Sequence, residues 1–193
     1  KETTFTWDRT GGDPIKQGNR NPLLYKNIGV DGIKTGFLTV EQYSLAASIK
    51  SNERRLIAVG SGFKTKNLRS RETAKILNWG LKKFDTIRVA KKDGILTNLK
   101  VWQGKKNTVE VATAKDFYLT IPKRKKKTIK AVIKYTGPIQ SPIKVGDKLA
   151  VLNVYLSDEL IEEIDILSTE SIEKSNIFSR LFKSLNYMVW GDA

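Results

Sequence analysis

The apolar positions change rhythm along the chain. Residues 1–28 are polar and rich in Gly, Asn and Pro; Thr3–Trp7 fits a short strand, and Gly11–Pro22 reads as loop. A compact region begins over Val30–Thr35. Tyr43–Lys50 (YSLAASIK) and Arg55–Gly62 (RLIAVGSG) are strand-length apolar runs joined by the short polar stretch Ser51–Arg54, which predicts an antiparallel hairpin, largely buried. The second run is apolar almost throughout, the pattern of a central strand covered on both faces. Asn67 then opens a helix whose face is Leu68, Ala74, Ile76, Leu77 and Leu81, with Gly80 near its end.

From Ile87 the texture is that of short strands broken by Gly, Pro, Asn and Asp. IRVAKK, GILTNLKVWQG, KNTVEVATA, DFYLTIP, TIKAVIKYTG and KLAVLNVYL recur at a spacing that predicts a small all-β sandwich or barrel. The last segment changes again. Ile177, Phe178, Leu181, Phe182, Leu185, Met188 and Val189 fall on one face of a helix, and Ser179, Arg180, Lys183, Ser184 and Asn186 lie largely off it. Tyr187 and Trp190 are interface-type aromatics near its end. The expected division is residues 1–86, residues 87–167 (β-rich) and residues 168–193 (amphipathic helix).

Composition narrows the chemistry. The 193 residues carry 35 Lys+Arg against 20 Asp+Glu, a formal charge of +15, with no His and no Cys. A disulfide framework, a thiol nucleophile, a His base, a Ser-His-Asp triad and a His- or Cys-ligated metal are all excluded. No metal or cofactor is expected. The charge points to an anionic partner. No apolar run reaches the roughly 20 residues of a membrane-spanning helix. The chain starts at Lys1, so a processed or truncated product is expected.

Lys34-Thr35-Gly36, inside VDGIKTGF, is the informative cluster. It follows an extended stretch and precedes the hairpin, so an ammonium, a hydroxyl and strand N–H groups could share one sheet edge. Together they suit an extended peptide that ends in a carboxylate. A solvated lysine guarding a sheet edge reads equally well from local spacing alone.

VDGIKTGF, YSLAAS, RLIAVGSG, Arg69, Glu72 and LNWGLKKFDT, in this order, resemble the second half of a serine-type D-alanyl-D-alanine carboxypeptidase, a low-molecular-mass penicillin-binding protein. NRNPLL (Asn19–Leu24) resembles that family's approach to K-T-G, and YLTIPK and the tail are similar to its C-terminal β-domain and membrane anchor. The resemblance implies an α+β fold: part of a penicillin-binding-protein or β-lactamase-like domain with an antiparallel sheet (residues 1–86), a small all-β domain, and the C-terminal helix. It also implies a serine acyl-enzyme that removes the terminal D-Ala from peptidoglycan stem peptides and reacts with β-lactam antibiotics. The implied location is the periplasmic face of the inner membrane in the cell envelope, with Ile177–Trp190 on the membrane surface.

Site roles follow from the resemblance residue by residue. Thr35 would hydrogen-bond the substrate carboxylate, Lys34 would shape the field at the nucleophile, and Gly36 completes the motif. The Phe37 N–H would form one side of the oxyanion hole. Arg20 and Arg69 would pair with the carboxylate, each with a structural ion pair as the competing assignment. Leu38 and Gln42 depart from the family pattern at the turn after K-T-G. The S-x-x-K and S-x-N motifs should precede K-T-G, yet residues 1–33 contain no Ser. Ser61/Lys64, Ser141/Lys144, Ser171/Lys174 and Ser184-Leu185-Asn186 all follow it and are rejected. The chain alone is therefore expected to be a catalytically inert fragment.

Lys123–Lys127 with Lys130 carries +6 without an acid. A solvated hairpin loop is favoured, and nucleic acid is disfavoured because no aromatics interleave. An orientation aid at an anionic membrane or wall polymer is a third reading. The alternative function for the whole chain is a non-catalytic, basic, membrane-attached module that binds cell-wall polymer or nucleic acid.

Overall fold

The computed structural model describes residues 2–8, 11–51 and 54–191, with the side chains of Tyr187 and Trp190 outside the described set. The chain separates into two compact units, Lys1–Asp85 and Thr86–Ala193. The fold is α+β and mainly antiparallel sheet.

In the first unit, β1 (Thr4–Trp7) pairs with β2 (Ile15–Gly18) as an exposed ribbon. The expected loop over Gly11–Pro22 thus contains a strand, held by backbone pairing rather than by an apolar face. β3 (Val30–Leu38), β4 (Gln42–Ser51) and β5 (Arg54–Phe63) form an antiparallel sheet. The connection at residues 52–53 lies outside the described residues.

α1 (Lys66–Lys83) begins at Thr65, whose hydroxyl accepts from the Leu68 N–H. Leu23, Val30, Leu45, Ala47, Ile49 and Leu77 form the core between α1 and the sheet. Each fully buried Leu, Ile or Val there contributes about 1.5–3 kcal/mol.

Gly80 lies near the end of α1, as expected; a Cβ there would collide with Leu56, so glycine permits close approach of helix to sheet. The end of α1 is held by Arg54. Its guanidinium donates to the carbonyls of Phe84 (2.8 Å), Gly80 (3.2 Å) and Leu81 (3.3 Å) at the helix C-terminus. One sequence expectation changes: β5 is an edge strand, not a central one. Its inner residues meet α1, but Ile57 is 60% and Val59 79% exposed. A continuous apolar run signals two covered faces, and among the described residues an element packs on only one of them.

In the second unit, β6 (Phe84–Ala90, whose first two residues fall before the division) pairs with β9 (Phe117–Pro122). The main sheet uses β7 (Thr97–Trp102), β8 (Thr108–Ala112), β10 (Ile129–Lys134), β11 (Ile139–Gln140), β12 (Lys148–Leu156) and β13 (Glu159–Ser168), in the order β10-β12-β13-β8-β7-β11. All its pairs are antiparallel except β11 with β7.

Inward residues alternate along the strands, with Leu99, Val101, Val109, Val111, Ile164 and Ile166 in the core. Lys123–Thr128 is a 3-10 turn joining β9 to β10, which belong to different sheets, so the basic run is not a hairpin loop. Ser168 ends β13, the chain runs extended, and α2 (Ile177–Trp190) follows.

Candidate functional site

The β3–β4 register sorts the K-T-G residues between two faces of the sheet. Thr35 lies opposite Leu45 and Phe37 opposite Tyr43, so Thr35 and Phe37 share the face on which α1 packs. Lys34 lies opposite Ala46 and Gly36 opposite Ser44, on the other face. A Cβ at Gly36 would run into the Ser44 hydroxyl, so the side chain of the neighbouring strand requires a glycine here. The Lys34 ammonium donates to the Thr35 carbonyl at 3.0 Å, and the residue is exposed.

Arg69 stands in the first turn of α1 and is only 6% exposed. Its guanidinium lies over the Tyr43 ring, 5.6 Å from the centroid, and that ring packs against Phe37 at 4.7 Å. Among the described residues Arg69 forms no ion pair, and its Nε has no hydrogen-bond partner. Burial pushes the guanidinium below its ordinary value, with the Tyr43 interaction opposing this. It stays charged, because an arginine does not deprotonate in proteins. A desolvated cation with an open donor is prepared to receive an oxyanion.

Arg20 is exposed and makes no hydrogen bond to these residues. Its neighbours are fixed: Asn21 is buried and its amide donates to the Gly32 carbonyl on β3 at 3.0 Å, while its Oδ1 accepts from the Leu23 N–H. The Asn19 Oδ1 accepts from the Asn21 N–H at 2.9 Å. The turn bearing Arg20 is thereby tied to the start of the K-T-G strand.

One face thus gathers Thr35, Phe37, Tyr43 and Arg69, while Lys34 and Gly36 present to the other. Tyr43 and Asn21 were missed as contributors. A Phe–Tyr pair across predicted neighbouring strands was the available signal for Tyr43. Nothing in the sequence marked Asn21 as the buried member of NRN. Of the rejected serines, Ser171 accepts from the Val145 N–H and Ser184 from the Gln103 amide, both structural contacts.

Residues 84–174 match the family model of the penicillin-binding protein 5 C-terminal domain. The chain is 33% identical over 194 residues to D-alanyl-D-alanine carboxypeptidase DacC of Escherichia coli, covering 98% of this chain and 47% of that protein. It is 33% identical over 193 residues to D-alanyl-D-alanine carboxypeptidase DacA of Haemophilus influenzae, covering 98% of this chain and 48% of that protein. The crystal structure of penicillin binding protein 5 from Haemophilus influenzae superposes with a TM-score of 0.78 at 31% identity, over 90% of this chain and 50% of that one. The chain spans about half the length of the curated relatives it matches.

Proposed function

The chain belongs to the D-alanyl-D-alanine carboxypeptidase family of penicillin-binding proteins, and on that premise we propose that it forms the carboxylate-recognition edge of a D,D-carboxypeptidase. The parent enzyme removes the terminal D-Ala from peptidoglycan stem peptides through a serine acyl-enzyme. The carrying observation is Arg69: a buried guanidinium without an ion pair among the described residues, on the same sheet face as Thr35.

In this reading the stem peptide lies extended along the open edge of β3. The Thr35 hydroxyl donates to its terminal carboxylate, and Arg69 supplies the opposing charge. Arg20, on the turn tied to Gly32, is a second cation for that carboxylate. Lys34, on the other face, acts on the field at the nucleophile and its activating lysine, which the other half of the parent supplies. The Phe37 backbone N–H polarises the scissile carbonyl, a role that any side chain permits. The exposed apolar face of β5, with Ile57 and Val59, is where that other half packs.

Membrane association through α2 belongs to the same proposal, with the protein at the periplasmic face of the inner membrane. Among the described residues no helix is long and apolar enough to cross a bilayer. Fourteen helical residues extend about 21 Å, which suits a helix lying in the interface.

The test is D-Ala release by the complete protein. Thr35→Val lowers kcat/KM by loss of a substrate hydrogen bond. Arg69→Ala lowers it selectively for substrates with a free terminal carboxylate. Full activity of Arg69→Ala on every substrate would remove that residue from the site.

A further inference from the structure

α2 is held in an unusual way. Asn176 caps its start, its Oδ1 accepting from the Ser179 N–H at 2.9 Å. Its polar face is then bonded to the turn between β7 and β8. The Arg180 Nε donates to the Gln103 Oε1 at 3.1 Å, and the Gln103 Nε2 donates to the Ser184 hydroxyl at 3.3 Å. The Lys183 ammonium donates to the Gly104 carbonyl at 3.0 Å and to the Asn107 Oδ1 at 2.8 Å. Both cations of the helix are used inward, toward the protein. Much of the apolar face is exposed, Phe178 at 84% and Phe182 at 73%. A groove of about 430 Å³, lined by Val101, Trp102, Asn107 and Phe182, remains between the helix and β7–β8, so the helix is not closely packed there and the polar bonds fix it.

The receiving turn is itself fixed. The Ser175 N–H donates to the Gln103 carbonyl at 2.8 Å, and its hydroxyl to the Gly104 carbonyl at 2.6 Å. Lys105 pairs with Glu173 and Lys106 with Glu170. A Cβ at Gly104 would fall 2.8 Å from Val101, 2.9 Å from Ile172 and 2.9 Å from the Lys106 carbonyl, so only glycine allows this carbonyl its place.

We infer that the Gln103–Asn107 turn is a docking platform that fixes α2 on the β-rich unit, so that this unit meets a lipid surface in one orientation. The inference rests on the proposed membrane association and adds to it the geometry. A bilayer suits the outward face because the polar face is already occupied, leaving one apolar stripe that no groove needs to enclose. The net charge of +15 complements anionic headgroups.

The register then places the basic turn. β8 leads away from the platform, and the C-terminal end of β13 returns beside it. The Ser157–Asp158 turn therefore marks the opposite end, where the Ser157 N–H donates to the Thr128 carbonyl at 3.2 Å and Ile129 pairs with Leu156. Lys123–Thr128 thus sits one β12 length, about 30 Å for nine residues, beyond the far end of β8. It is held off the bilayer, which removes it as a membrane-orienting element.

The chain has no Cys, so Lys127→Cys gives a single labelling position at the far end. Energy transfer is measured from that label to acceptor lipids in vesicles of phosphatidylethanolamine and phosphatidylglycerol. The labelled protein is expected to float with the vesicles and show low, narrowly distributed transfer. Gln103→Ala with Asn107→Ala leaves the apolar face intact; it should float equally but with raised and broadened transfer. In solution, α2 amide protection should fall about tenfold in that variant, as expected for lost hydrogen bonds. Unchanged transfer and unchanged protection would overturn the platform. Phe178→Glu with Phe182→Glu is expected to abolish flotation. If the parent and this double variant float equally, the anchoring reading and the lipid-facing part of the inference both fail; hydrogen exchange then still decides whether the turn docks the helix.

Discussion

Arg69 can be assigned to recognition or to structure by the sign of a stability change. Among the described residues its Nε is buried without a partner, a state that costs about 1–3 kcal/mol. The contact with Tyr43 returns about 0.5–2 kcal/mol. The balance is mildly unfavourable, as fits a group whose partner arrives with the substrate. Arg69→Met keeps a long unbranched stem, removes the desolvated charge, and places a thioether against the Tyr43 ring. It is expected to stabilise the first unit by about 1 kcal/mol, or roughly 4–8 °C in Tm for a domain of this size. Urea and thermal melts of the chain, followed by Trp fluorescence and circular dichroism, measure this; the two units are fitted as separate transitions. A loss of 1 kcal/mol or more, on the order of a broken structural contact, would show that Arg69 holds the fold together and would refute the reasoning.

Three further outcomes follow from named contacts. Arg54→Ala leaves the carbonyls of Gly80, Leu81 and Phe84 without their charged donor and should destabilise the first unit by about 1.5–3 kcal/mol in urea melts, with hydrogen exchange rising first in the last turn of α1. Burial alone would raise the Asp31 carboxyl, but hydrogen bonds from Arg55 and Ser48 and the Arg55 charge hold it below its ordinary value of 3.8. Its contribution is therefore complete above pH 3.8 and is lost as pH falls through the lowered value; Asp31→Asn should flatten that acid limb of the stability curve. Gly104→Ala pushes a methyl group against Val101, Ile172 and a backbone carbonyl, and should cost about 1–3 kcal/mol by thermal melt while leaving the first unit unchanged.

Much of the fold is legible because its signals are local. The Tyr43–Gly62 hairpin is antiparallel as read, α1 begins within a residue of the reading, and α2 was marked by the period of its apolar face. Burial of that hairpin was not legible in full, because an apolar run marks a strand but not how many of its faces are packed; Ile57 and Val59 are exposed. β13 escaped as well. Its acids interrupt the alternation, and the β12–β13 hairpin turns on Ser157 and Asp158, both with positive φ (53° and 67°), instead of the usual Asn-Gly. At the site, K-T-G and Arg69 stood out by type, while their sorting onto two faces needed the pairing partners on β4. The inward use of Arg180 and Lys183 was invisible for the same reason: periodicity gives the polar side of a helix, not what that side touches.

The central claim is that this chain carries a recognition edge without a nucleophile, and labelled penicillin tests it most directly. A serine hydroxyl needs a neighbouring base to attack the lactam, and the Ser-x-x-Lys pairs of this chain all follow Lys34-Thr35-Gly36. The chain alone should take up no covalent label at saturating penicillin, while the longer D,D-carboxypeptidase proposed above should label at one equivalent and release D-Ala. Stoichiometric labelling of the isolated chain would contradict the account.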